Sequence, residues 1–216
     1  MEIIRIRLYD LLFSISKAGD FVTPVLMNHQ QKVAYLSFKI AEHLGLQQSQ
    51  QIEIMLAGLV HDIGALAKDE KLELMLAEPE NIHTHSIRGA NLLRGFSPLR
   101  NISEIIRYHH VPWDNGNGKV YNGQPVPFAS HIVHLADKVC IMHSKGDPIS
   151  FISSMVQRQR NSVFVPELVD CLLEFVDMNY IWLDLNHDPL QDISDIIATG
   201  SILPLEIDNI LELSYI

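Results

Sequence analysis

Seven side chains that prefer water (His29, His61, Asp62, His85, His109, His110 and Asp137) fall on or beside apolar stripes with helical spacing. Burying any one of them is costly unless hydrogen bonds or a metal ion compensate. A fold that satisfies all seven is a helical bundle that turns these stripes inward towards one place. Imidazole and carboxylate are the side chains that divalent first-row transition metals take. The expected fold class is therefore all-α, with eight or more helices and a buried metal site between at least four of them.

The helical pattern extends along nearly the whole chain. A polar cap followed by proline marks starts at Thr23-Pro24, Ser97-Pro98 and Asp188-Pro189. The pattern predicts helices over about 3 to 17, 24 to 44, 48 to 63, 84 to 95, 98 to 110, 127 to 145 and 166 to 182. In the second, His29 shares a stripe with Val33, Leu36, Ile40 and Leu44. In the third, Ile52, Leu56, Leu59 and Ile63 point inward, and His61-Asp62 fall in the last turn before Gly64. Pro112 to Gln124 reads as the longest loop, with Lys119-Val120-Tyr121 as its one brief strand. The tail from Asn186 is expected to hold one or two short helices.

Composition narrows the function classes. A hydrophobic fraction of 47% over 216 residues is ample for one well-filled domain. A net charge of −10 with no basic stripe argues against binding a nucleic-acid duplex. No run approaches the roughly 18 apolar residues of a membrane span, and the amino terminus lacks the pattern of a signal peptide. Two cysteines, Cys140 and Cys171, give neither a disulfide framework nor a thiolate cage, so a reduced, cytoplasmic setting is expected.

Eleven histidines are many for this length, and ten lie between positions 29 and 143. A single histidine on an apolar face is more often a core residue bonded to a carbonyl than a ligand, and His43, His143 and His187 read that way. His83 reads as a loop or first-turn residue, while His131 and His134, near Asp137, stay open as ligands. Neighbouring residues on a helix point about 100° apart, so His61 and Asp62 cannot both face one small ion. Two ions sharing the carboxylate would accommodate the pair, and His109-His110 repeats the arrangement.

The pattern H…HD…H…HH…D resembles that of the HD superfamily of metal-dependent phosphohydrolases, in particular its HD-GYP branch. HDIG at 61–64, HSIRG at 85–89, HHVPWDNGNG at 109–118, VPFASHIVHLAD at 126–137 and FVPELVD at 164–170 are each similar to an element of that branch. The chain departs from it where Ala65 replaces a lysine, Val111 a glutamate, His131 an arginine and Val25 a glutamate. The GYP tripeptide is also missing, with Asn117-Gly118-Lys119 in about its place.

The resemblance implies an HD-domain helical bundle over residues 1–180, with 181–216 as a helical extension or connector packing on it. It implies a phosphohydrolase acting on a nucleotide-type ester, as phosphodiesterase or phosphomonoesterase, with a role in cyclic-nucleotide signalling. The seven His and Asp residues would hold one or two divalent ions of iron, manganese, zinc or nickel. Asp62 would bridge, His29, His61 and Asp137 would complete one ion, and His85, His109 and His110 the other. Asp62 and His61 are the expected catalytic pair, and Lys68, Arg88, Lys119 and His131 are candidates for substrate phosphate. Expected partners are a small phosphorylated substrate, a cyclic nucleotide among them; a homodimer or fusion to a further signalling domain is compatible with the pattern. The alternative is a weak or inactive nucleotide-sensing module.

Overall fold

The computed structural model describes residues 4–20, 28–65, 70, 72–74, 82–187, 189–190 and 202–205. Nine helices among these form the body: α1 (Leu8–Asp20), α2 (His29–His43), α3 (Gln48–Val60), α4 (His83–Leu93), α5 (Arg100–Arg107), α6 (Phe128–Ser144), α7 (Ile149–Arg158), α8 (Pro166–Phe175) and α9 (Asn179–Asp184). Two small antiparallel pairs complete it. Strand β1 (Ile4–Arg7) pairs with β4 (Ile202–Leu205), and β2 (Val120–Tyr121) with β3 (Gln124–Pro125).

Helix α2 is the centre of the bundle and packs on α3 and α6. Val33, Leu36 and Ile40 of α2, Leu56 and Leu59 of α3, and Ile132, Leu135 and Val139 of α6 are all buried in one core. Gly58 lets α2 and α3 approach closely, because a β-carbon there would stand 2.7 Å from the Ala34 Cα. From the other side, the buried Tyr35 hydroxyl donates to Asp184 of α9. No helix among the described residues is long and apolar enough to cross a membrane.

Several expectations are corrected. Residues 4–7 of the expected helix 3–17 form β1, whose Ile-Arg-Ile-Arg repeat has the two-residue period of a strand. The expected helix 166–182 is two helices, broken at Val176–Met178, where the Trp182 indole donates to the Phe175 carbonyl at 2.8 Å. That bond satisfies a helix-end acceptor and turns the chain. Helix α7 was not foreseen, and residues 202–205 are a strand in place of helical tail. Val120 and Tyr121 pair as expected. The start at Thr23-Pro24, the position of Val25 and the tail beyond 205 lie outside the described residues.

Candidate metal centre

Five helices deliver the seven side chains to one place. His29 opens α2, just after Asn28 in the left-handed region (φ 62). His61 and Asp62 follow the end of α3, His85 lies in α4, His109-His110 follow α5, and Asp137 sits midway along α6. All seven are buried; Asp62 (9% exposed) and His110 (7%) are the most accessible. The turn carrying Asp62 is pressed onto α4 through Gly64, against His85 and Gly89.

The ligand atoms fall into two sets, each within 4.8 Å: His29, His61 and Asp137, and Asp62, His85, His109 and His110. In the first, Asp137 Oδ1 is 3.1 Å from His29 Nε2 and 3.6 Å from His61 Nε2. In the second, Asp62 Oδ1 is 3.2 Å from His85 Nε2 and 3.9 Å from His109 Nε2. His85 and His110 bring their Nε2 atoms to 3.0 Å. Asp62 also reaches towards the first set, its Oδ2 lying 3.3 Å from His61 Nε2.

Tautomers follow from the outer nitrogens. His61 Nδ1–H donates to the Gly58 carbonyl (2.8 Å) and His109 Nδ1–H to that of Ile106 (2.6 Å). A neutral imidazole that donates through Nδ1 presents a lone pair at Nε2. Both inward Nε2 atoms are buried, and among the described residues neither makes a well-formed hydrogen bond; carboxylate oxygens of Asp62 and Asp137 stand beside them. Lone pairs aimed at one another repel unless a cation lies between them. Imidazoles anchored by backbone carbonyls, with carboxylates beside them, are the donor set of a divalent metal site. The residues fit such an ion.

The two carboxylates draw positive charge to this centre. Burial opposes protonation of His61, but Asp62 and Asp137 outweigh it and raise its pKa well above 6.5. Burial likewise opposes ionisation of Asp62 and Asp137. The facing imidazoles, His61 above all for Asp62 and His29 for Asp137, hold both carboxyls well below the usual range. Burial, then His85 and His61, push His109 down to about 3. Burial and His109 also hold His110 well below its ordinary value.

The expected substrate groups are placed differently. The Arg88 guanidinium is bound by Glu70 (3.1 Å to each oxygen) and donates to the Gly64 carbonyl at 2.8 Å. Lys119 Nζ stands 5.2 Å from the Trp113 ring centroid. His131 is buried, edge-on to Trp113 at 5.4 Å. Lys68 lies outside the described residues. Left open from sequence, His134 proves buried with its ring 5.9 Å from that of His110. Its spacing of three from Asp137 was the available signal.

An all-helical core that converges imidazoles and two carboxylates, one pair adjacent in sequence, defines a class of metal-binding helical domain. The HD domain model matches residues 26–142, more than half of the chain, and the chain belongs to that family. It is 26% identical over 199 residues to 3'3'-cGAMP-specific phosphodiesterase 1 of Vibrio cholerae, covering 87% of this chain and 46% of that protein. It is 25% identical over 180 residues to a cyclic di-GMP phosphodiesterase of Thermotoga maritima, covering 77% and 49%. The chain thus spans about half the length of these curated relatives. Among solved structures, a cyclic GMP-AMP specific phosphodiesterase of V. cholerae superposes with a TM-score of 0.71 at 16% identity, over 97% of this chain and 58% of that one. The HD domain of an L. monocytogenes phosphodiesterase gives 0.52 at 16% identity, over 78% and 98%. At such identities these likenesses establish the fold.

Proposed function

We propose that this protein is a metal-dependent phosphohydrolase acting on a nucleotide-type phosphodiester. The observation that carries the reading is Asp62, whose two oxygens face two separate sets of imidazoles. One set would use His29, His61 and Asp137, the other His85, His109 and His110, with Asp62 shared. Iron, manganese, zinc and nickel all suit these ligands, and availability would decide among them. Cations held there would supply Lewis-acid charge for the phosphoryl oxygens and lower the pKa of a water nucleophile.

The chain's own residues supply orientation and basicity. Asp62 holds His61 and His85 in place through opposite oxygens, and Gly58 and Ile106 fix the ring tautomers. Asp62 and His110, the most accessible of the seven, would be the ligands nearest the substrate. The names of the V. cholerae and T. maritima relatives favour a cyclic dinucleotide as the substrate class. With Ala65 and His131 where the family pattern has a lysine and an arginine, cyclic di-GMP should turn over slowly.

A second reading, a nucleotide-sensing module with little or no turnover, is favoured by one observation. Ala65 and Val111 are buried at 2% exposure, and Arg88 is neutralised by Glu70. We further read residues 1–180 as the HD unit, with 181–216 packing on it through Ile181, Trp182, Leu185 and Leu190, all in the core. The two buried free cysteines suit a cytoplasmic setting.

The test is to load the protein with manganese or iron and assay bis(p-nitrophenyl) phosphate, 3'3'-cGAMP and cyclic di-GMP beside Asp62→Ala. Metal-dependent hydrolysis that vanishes in the variant supports the enzyme. Dinucleotide binding without hydrolysis supports the sensing module, and neither binding nor hydrolysis overturns both.

A further inference from the structure

Outside the histidine cluster, a cavity of about 240 Å³ lies where α4, the end of α5 and the β2–β3 hairpin meet. Three rings form its corner. The His83 and Tyr121 rings lie 5.1 Å apart at 36°, and Tyr108 stands edge-on to Tyr121 at 6.4 Å and 68°. Arg107 contributes a guanidinium 5.8 Å from the Tyr108 ring centroid, and Asn122 and Gln124 contribute carboxamides. Among the described residues no carboxylate lines this cavity, although the chain carries a net charge of −10.

That combination selects one ligand chemistry. Aromatic side chains take the face of a nucleobase, and rings meeting at an angle let a flat ligand lie on one and meet the edge of another. Each carboxamide offers both donor and acceptor, which is what reading a base edge requires. The Arg107 guanidinium lines the cavity beside the Tyr108 ring, and a guanidinium suits phosphate or a base carbonyl. A purely apolar ligand would leave these polar groups without partners, and a cation would meet Arg107. A purine nucleotide satisfies all of them.

The walls are carried by the same elements as the histidine cluster. His83 lies two residues before His85 on α4, and Tyr108 directly precedes His109. We propose that this cavity binds a purine base and, resting on the phosphodiesterase reading, that it is the subsite anchoring the substrate by its base where phosphate contacts are missing.

Calorimetry on the metal-loaded protein with GMP, AMP and ribose 5-phosphate tests the binding, with Tyr121→Ala, Tyr121→Phe and Arg107→Gln as variants. The expected result is binding of a purine nucleotide well above ribose 5-phosphate. Tyr121→Ala should weaken it about 5- to 150-fold, the range of base–aromatic stacking, and Tyr121→Phe should restore it. Kinetics with 3'3'-cGAMP should show KM raised by Tyr121→Ala far more than kcat is lowered. Weakened nucleotide binding with KM unchanged overturns the substrate subsite and leaves an effector pocket. Binding unaffected by both Tyr121→Ala and Arg107→Gln overturns the cavity itself. Because binding is read without turnover, a protein that binds here but hydrolyses nothing contradicts only the phosphodiesterase reading.

Discussion

The carbonyl of His85 occupies the space that a β-carbon on Gly64 would need. The two would stand 2.0 Å apart, with the Gly89 nitrogen at 2.4 Å. The turn after Asp62 therefore packs directly on the backbone of α4, and this contact sets the distance from Asp62 to His85. Any side chain at position 64 must push the two apart.

Gly64→Ala should accordingly cost about 2–3 kcal/mol, the upper part of the range for overpacking, because backbone atoms on both sides must move. For a chain of this size that corresponds to a fall of about 4–12 °C in melting temperature. Calorimetry would check it, and bound metal should fall as well. An unchanged melting temperature would show that the turn relaxes freely.

The metal-free protein should lose stability as pH falls from about 6.5 towards 3. In the unfolded chain a histidine takes up a proton near 6.5. Folded His109 stays neutral down to about 3, and His110 is depressed in the same direction. The unfolded state therefore binds more protons across that window. Each such ring contributes a slope of about 1.4 kcal/mol per pH unit. His61, raised in the folded state, contributes stability that is fully present below 6.5 and lost only as pH rises through its folded value. Below about 4 the depressed carboxyls of Asp62 and Asp137 add to the acid loss. Urea unfolding of metal-free protein at pH 7, 6 and 5 checks this; flat stability would contradict the buried neutral state of these rings.

Restoring the two family cations should raise turnover of cyclic di-GMP. Charged contacts to phosphate are typically worth about 1.5–3 kcal/mol each, so Ala65→Lys with His131→Arg is expected to increase kcat/KM at least tenfold. Both positions are buried, so the new side chains have to extend towards the site and folding must be confirmed by circular dichroism. Failure of a folded, metal-loaded double variant to gain activity would show that these contacts are not what limits the reaction.

The cluster was legible in the sequence because polar residues on apolar helical stripes demand a common interior partner. His29 with Val33 and Leu36, and Asp137 beside Leu135 and Val139, point that way without any structure. What escaped was shorter or purely tertiary. Strand β1 is four residues long, too short for its alternation to compete with the helical pattern that follows. Its partner β4 contains Pro204, which argues against a strand and is tolerated because a two-stranded pair consists only of edges. The break before α9 has neither glycine nor proline to announce it, since its cause is the Trp182 bond to Phe175. Helix α7 did carry the polar-proline start, Asp147-Pro148, and a stripe of Ile149, Ile152 and Val156. The rings of His83, Tyr108 and Tyr121 are brought together only by folding, so no spacing could have joined them.

The most direct test of the shared carboxylate is metal content. Protein loaded with manganese or iron, desalted and measured by elemental analysis, should hold about two ions per chain. Asp137→Asn removes a ligand from one set and should lose about one. Asp62→Asn touches both and should lose more than any other single substitution among the seven. A full complement of metal in Asp62→Asn would contradict the account.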